Sequence, residues 1–195
     1  MSQDFQEGTL SFKFPDGWRV CRAEHSEYYI RSFQGFCSTI QHAAGCPVTT
    51  GSKEMDFAAY DPVAATLWLI EVKDFRLGPW TKPLDLIDQI ALKTRDTLAL
   101  ISAAAIVDLE PNSLPPHNQG QNWQAGEFGR ALQGAVKLKV VLHCELQPAG
   151  SALFPNPSHA ANLAMKLKQM LRYVDSAPLF ANRVILAHTL SWQVV

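Results

Sequence analysis

The chain has 195 residues, a length that suits one domain with a sizeable hydrophobic core. Hydrophobic residues make up 47% of it and charged residues 18%, which is typical of a globular protein and not of a disordered one. The formal net charge of −1 excludes a strongly basic coat, so any contact with nucleic acid requires a local patch, a bound cation or a partner.

Targeting signals and thiols indicate the compartment. No apolar run approaches the roughly 20 residues needed to span a bilayer, and the first residues lack the basic and apolar regions of a secretory signal. Reduced thiols in a cytosolic protein are the simplest interpretation of four scattered cysteines. These are Cys21, Cys37, Cys46 and Cys144. We therefore expect a cytoplasmic protein that does not contact a membrane.

The N-terminal quarter predicts little regular structure. Residues 1–17 are polar and end in a turn, Pro15-Asp16-Gly17. A short strand is expected over residues 18–22, and a helix over residues 24–36, where apolar positions fall near helical spacing. Residues 37–50 are interpreted as a loop.

Two strands are predicted next, over residues 53–60 and 66–74, with a turn at Asp61-Pro62 between them. A long amphipathic helix over residues 84–105 follows, and a polar stretch over residues 109–130 is interpreted as a surface loop. The remaining predictions are a half-buried strand over residues 136–146, a helix from a cap at Ser158 to about Val174, and a buried strand over residues 184–190. This order predicts a mixed α/β or α+β sheet flanked by helices.

The second central strand is apolar until Glu71 and Lys73 interrupt it. Because side chains alternate across a strand, these two residues share one face. Burying such charges costs several kcal/mol per ion unless they are paired or hold a metal. If the two strands form a hairpin, Asp56 meets Glu71, and the two carboxylates with a backbone carbonyl make an oxygen site for a hard divalent cation. The neighbouring lysine can then orient a water or stabilise charge on a phosphate.

Asp56 followed by Glu71-Val72-Lys73 resembles the signature of the PD-(D/E)XK, or restriction-endonuclease-like, nuclease superfamily. Met55 stands where the family name has proline. The resemblance implies one domain over residues 1–195, with an αβββαβ core over about residues 24–146 and a C-terminal helix and strand over residues 158–192. It also implies that Asp56 and Glu71 are metal ligands, that the Val72 carbonyl is a further ligand, and that Lys73 is the catalytic lysine.

Members of such families sometimes add an acid from the first helix and a polar residue from the helix after the motif. Glu24 or Glu27 fits the first role, and Gln89 or Lys93 fits the second. The sequence does not choose within either pair. Both Gln89 and Lys93 lie away from the predicted apolar stripe, so solvated side chains are the alternative.

Several other groups have simpler explanations than a functional site. Cys37, His42 and Cys46 lack the paired spacing of a zinc site, so buried thiols are expected. His143 is expected to be a half-exposed strand histidine on a polar face with Lys137 and Lys139. A solvated helix face explains the basic strip of Lys166, Lys168 and Arg172. For the loop tryptophans Trp80 and Trp123, packing is the alternative to stacking on bases.

We therefore expect a nuclease that depends on Mg²⁺ or Mn²⁺, with DNA as the first expected substrate and RNA as the second, and with binding that relies on the metal, on a homodimer or on a partner subunit. One alternative is a catalytically silent module with the nuclease fold that binds nucleic acid or protein within a complex. A weaker alternative is a hydrolase of small phosphate esters. An ion pair of Lys73 with Glu71 or Asp56 is the purely structural interpretation of the motif.

Overall fold

The computed structural model describes residues 3–22, 53–76, 85–109, 134, 137–145, 157–184 and 190–195. Two helices lie in these ranges, α1 (Leu86–Leu109) and α2 (Pro157–Leu171). The strands are β1 (Gln3–Glu7), β2 (Leu10–Phe14), β3 (Arg19–Cys21), β4 (Phe57–Asp61), β5 (Thr66–Asp74), β6 (Lys137–Glu145), β7 (Leu179–Ala181) and β8 (Gln193–Val194). The helix predicted over residues 24–36 and the loop predicted over residues 37–50 lie outside the described residues. So does the loop predicted over residues 109–130, except for Leu109, which is the last residue of α1.

The central sheet has five strands in the order β3-β4-β5-β6-β7. Strands β3, β4 and β5 form an antiparallel meander, whereas β6 is parallel to β5 and β7 is parallel to β6. A parallel neighbour requires a crossover connection, and α1 lies between β5 and β6 in the chain. The predicted mixed α+β class with a mixed central sheet is confirmed.

A helical layer and a second sheet cover the two faces of the central sheet. Alternate residues of β5 such as Leu67 and Leu69 pack with the buried residues of α1 and α2, whereas Ile70 and Val72 pack with the small sheet of β1, β2 and β8. Strand β5 therefore has strand neighbours on both edges and a packed layer on each face. This explains its nearly continuous apolar sequence.

The small sheet was not predicted, since residues 1–17 were interpreted as polar with a terminal turn. Strands β1 and β2 form an antiparallel hairpin across Gly8 and Thr9, and Gly8 has a φ of 59°, a conformation that glycine adopts without a steric penalty. Buried and less buried residues alternate along β2. The buried ones are Leu10, Phe12 and Phe14. This period of two was the available signal.

Aromatic side chains fill the space between the two sheets. Phe57, the first residue of β4, has its ring centroid 5.1–5.9 Å from those of Phe5, Phe12 and Phe14. The Trp18, Trp68 and Trp192 rings form a neighbouring cluster with centroid separations of 5.2–6.4 Å. Aromatic pairs at these separations stabilise a core beyond simple area burial. Trp80 and Trp123 lie outside the described residues.

One sequence prediction in the C-terminal half was wrong. Strand β6 is not half-buried, because every residue from Val140 to Glu145 is buried between β5 and β7 and beneath both layers. Strand β7 (Leu179–Ala181) is an element that the sequence pattern does not predict. At the two ends of the strand predicted over residues 184–190, Val184 is 84% exposed and Leu190 lies in a bend. Residues 185–189 lie outside the described part.

His143 is fully buried rather than half-exposed. Its Nε2 lies 3.0 Å from Glu145 Oε1, and its ring packs against Phe12. Burial lowers the pKa of His143 below its usual 6.5, although Glu145 opposes the shift. The folded protein therefore resists protonation of this ring, whereas the unfolded chain does not.

This burial predicts a pH dependence of stability. Since the folded pKa lies below the unfolded pKa, the contribution of His143 is complete above pH 6.5 and is lost as the pH falls from about 6.5 towards the folded pKa. The free energy of unfolding in urea, measured at pH 7.5 and pH 5, should fall less in His143→Leu than in the wild type. Equal losses in the two proteins would contradict the assignment.

Candidate active site

The register of the β4–β5 hairpin brings two acids together. The outermost recorded pair joins Phe57 to Ile70, and the next positions on the two strands are Asp56 and Glu71. Residues opposite each other in an antiparallel pair share a face. Both carboxylates therefore lie on the helical face of the central sheet, at the end where β4 begins.

A backbone hydrogen bond fixes the orientation of Asp56. The Val72 N–H donates to Asp56 Oδ2 at 2.7 Å, a short hydrogen bond to a carboxyl oxygen. Asp56 Oδ1 is left to face the side chain of Lys93, whose Nζ lies 3.4 Å away. Asp56 is buried as a residue but keeps 11% of its side-chain surface exposed. One oxygen thus anchors the carboxylate, and the other faces the site.

Glu71 has no exposed side-chain surface and contacts two ammonium groups. Lys93 Nζ lies 2.7 Å from Oε1 and 2.8 Å from Oε2, and the Lys73 ammonium also bonds Oε1. Lys73 further donates to the Val72 carbonyl at 3.1 Å. The two carboxylates and two ammonium groups therefore balance in charge within one compact cluster.

The electrostatics of this cluster follow from burial and proximity. Burial raises the pKa of Glu71, the Asp56 carboxylate raises it further, and the two lysines oppose the shift. Burial alone would lower the pKa of Lys93, but Glu71 and Asp56 outweigh that effect and raise it above the usual lysine value. The two acids therefore favour the charged form of Lys93.

Helix α1 supplies both Lys93 and the support for Asp56. The Met55 N–H donates to Thr97 Oγ1 at 2.9 Å, and the Lys53 N–H donates to Asp96 Oδ2 at 3.2 Å. These two hydrogen bonds connect the segment that leads into β4, and that carries Asp56, to the helix that carries Lys93.

Removing the Thr97 acceptor should therefore loosen the site. Thr97→Val leaves the buried Met55 N–H unpaired and should lower the free energy of unfolding by about 1–3 kcal/mol, measured by urea denaturation. Thr94→Val is the matched control, because Thr94 is equally buried but donates only to the Met55 sulfur, a weak acceptor at 3.7 Å. A loss in Thr94→Val as large as that in Thr97→Val would contradict this account.

The donor atoms fit a hard divalent cation. The Lys93 ammonium occupies the point on which Asp56 Oδ1 and both Glu71 oxygens converge. The Val72 carbonyl accepts a hydrogen bond from Lys73 and lies beside this point. Among the described residues, no group of three His, Cys, Asp or Glu side chains could hold a metal. Two carboxylates, one carbonyl and retained waters are a set that suits Mg²⁺.

The other candidate residues separate into three groups. Among the described residues, Lys93 rather than Gln89 contacts the carboxylates. The side chains of Lys93 and Gln89 are both largely buried rather than solvated. His143 pairs in register with Val72, so it lies on the opposite face of the sheet from Glu71 and does not approach the site. The rest fall outside the described residues. They are Glu24, Glu27, Cys37, His42 and Cys46.

The remaining sequence interpretations concern thiols and the basic strip. Cys21 and Cys144 are buried free thiols, as expected. On α2, Lys166 pairs with Asp85 at 3.1 Å and Lys168 is exposed, as is Arg172 directly after the helix. This arrangement is that of a solvated helix face. No helix within the described ranges is long and apolar enough to cross a bilayer.

Comparison with known proteins gives one informative likeness. The chain is similar to the cysteine–tRNA ligase of Neisseria meningitidis serogroup A, with 29% identity in an alignment of 195 positions that covers 90% of this chain and 25% of that protein. The chain thus spans about a quarter of the length of the curated relative it matches. No family model matches the chain. No solved structure matches it significantly.

Proposed function

We propose that this chain is a divalent-metal-dependent nuclease that hydrolyses phosphodiester bonds, with DNA as the first expected substrate. The observation that supports the proposal is the convergence of Asp56 Oδ1 and both Glu71 oxygens on one positively charged group, the Lys93 ammonium, with the Lys73 ammonium beside them. The four-residue resemblance to the PD-(D/E)XK superfamily supports the same reaction. Buried free thiols also support a reducing compartment such as the cytoplasm.

In this proposal the residues divide the work. Asp56, Glu71 and the Val72 carbonyl would hold Mg²⁺ or Mn²⁺. The ion, when bound, would polarise a phosphoryl oxygen and supply an activated water. Lys73 would orient that water or stabilise the developing phosphate charge. The low exposure of the cluster strengthens each of these electrostatic interactions.

Without a metal, the charges of the cluster are balanced and the whole chain has a formal charge of −1. A polyanion therefore gains little from this site until a cation is added. We propose that affinity for nucleic acid depends on the metal, on a homodimer or on a partner subunit.

A cleavage assay tests the proposal. Purified protein with Mg²⁺ or Mn²⁺ should nick supercoiled plasmid or degrade oligonucleotides, with EDTA abolishing the activity, while Lys73→Ala and Glu71→Ala should be inactive. Lys168→Ala, at an exposed lysine of α2, should retain wild-type activity. Equal activity in the wild type and both site variants would remove the proposal, because it would indicate a contaminant. RNA and small phosphate esters in the same panel decide the substrate class.

A second candidate is a binding module without catalysis. Two observations favour it: Lys73 and Lys93 already neutralise both carboxylates, and the relative is a much longer protein whose name places it among tRNA ligases. In that role the module would contact nucleic acid or protein within a larger assembly. Calorimetry decides between the candidates, since a silent module would bind no Mg²⁺ or Mn²⁺.

A further inference from the structure

Lys93 holds the position at which the oxygens of the two acids converge. Its Nζ lies 2.7 Å and 2.8 Å from the two Glu71 oxygens and 3.4 Å from Asp56 Oδ1. Lys73 differs, because its recorded partners are Glu71 and the Val72 carbonyl, and Asp56 is not among them. One ammonium therefore bridges the acids, whereas the other flanks them.

A metal ion and the Lys93 ammonium cannot share this position. Mg²⁺ binds oxygen ligands at about 2.0–2.1 Å. An ion at that distance from Glu71 and Asp56 would lie within contact distance of the Lys93 nitrogen and would repel its charge. Loading the site with metal therefore requires Lys93 to move.

The Lys93 side chain is suited to such a movement. It is a flexible four-carbon stem on α1 that keeps 15% of its surface exposed, whereas Glu71 keeps none. When displaced, the ammonium would remain tethered near the bound ion. The site would then change from charge-balanced to net positive, which favours a phosphate group.

We propose that Lys93 is an internal counter-ion that a divalent cation must displace, so that metal loading and the release of a phosphate-binding ammonium are a single event. This inference rests on the proposed function, because it requires that a metal binds at Asp56 and Glu71. The inference predicts that Lys93 lowers the affinity of the site for the metal and that bound nucleic acid raises this affinity. Metal and substrate binding are thereby coupled.

Calorimetric titration of the full chain with MnCl₂ tests the inference. Lys93→Met should bind Mn²⁺ at least about tenfold more tightly than the wild type. Lys73→Met should gain less, because it leaves the bridging ammonium in place. Lys168→Met, at an exposed site on α2, should match the wild type. A Lys93→Met affinity equal to or below that of the wild type would overturn the inference.

Two further variants separate the possible failures. Lys93→Arg keeps the charge and should bind Mn²⁺ no more tightly than the wild type, and circular dichroism melts show that each variant is folded. If the wild type binds Mn²⁺, Glu71→Gln does not, and Lys93→Met is unchanged, the inference fails while the proposed function stands. If neither the wild type nor Lys93→Met binds Mn²⁺, both fail.

Discussion

Glu71→Gln is expected to reduce metal-dependent cleavage by on the order of a thousandfold, equivalent to about 4 kcal/mol of transition-state stabilisation. The carboxylate of Glu71 is fully buried and supplies two of the three side-chain oxygens that converge on one cation. An amide has the same shape but lacks the negative charge that a hard divalent ion requires. Initial rates on supercoiled plasmid across a Mn²⁺ series give the measurement.

A second buried acid provides the control for this prediction. Glu145 is 6% exposed and lies on the opposite face of the sheet, where it pairs with His143 and accepts the Arg183 N–H at 2.8 Å. Glu145→Gln should change stability but leave the cleavage rate within about twofold of the wild type, because it contacts none of the site groups. Similar losses in Glu71→Gln and Glu145→Gln would show that the effect is general destabilisation.

The largest expected effect on stability is that of Phe57→Ala, which should lower the free energy of unfolding by about 3–5 kcal/mol. Phe57 is fully buried and its ring joins three phenylalanines of the small sheet to the central sheet. Such a loss is a large share of the roughly 5–15 kcal/mol that stabilises a typical domain. Because Phe57 directly follows Asp56, the site should also lose metal affinity.

Urea denaturation of Phe57→Ala and Phe57→Leu gives the comparison. Leucine refills much of the space and should cost about 1–2 kcal/mol, so the two variants should differ clearly. A loss below about 1 kcal/mol in Phe57→Ala would mean that the two sheets do not depend on this aromatic contact.

The central hairpin and the juxtaposition within it were predictable from the sequence, because both depend on local signals. Alternation, the turn at Asp61-Pro62 and the apolar run before Glu71 predict two antiparallel strands. An antiparallel register then brings Asp56 and Glu71 together. Only the first strand was predicted too long, since β4 begins at Phe57 rather than near residue 53.

The role of Lys93 was not predictable in the same way. Periodicity separates apolar from polar positions, but it does not separate a solvated lysine from one that enters a buried charge cluster. Lys93 lies off the apolar stripe of α1 because its side chain reaches Asp56 and Glu71.

The burial of His143 and the pairing of β7 depend on long-range contacts. Strand β6 alternates in sequence as a half-exposed strand does, yet β7 pairs along its far edge and the small sheet covers its second face. Strand β7 has three residues, Leu179–Ala181, and it pairs with a strand more than 30 residues earlier in the chain. Neither pairing leaves a local signal in the sequence.

A crystal structure of the protein soaked in Mn²⁺, with anomalous diffraction to locate the ion, tests the central claim most directly. The account predicts an anomalous peak about 2–2.5 Å from one oxygen of Asp56 and one of Glu71, with the Lys93 ammonium moved away from both. An absence of any peak between these carboxylates, with Lys93 still bridging them, would contradict it.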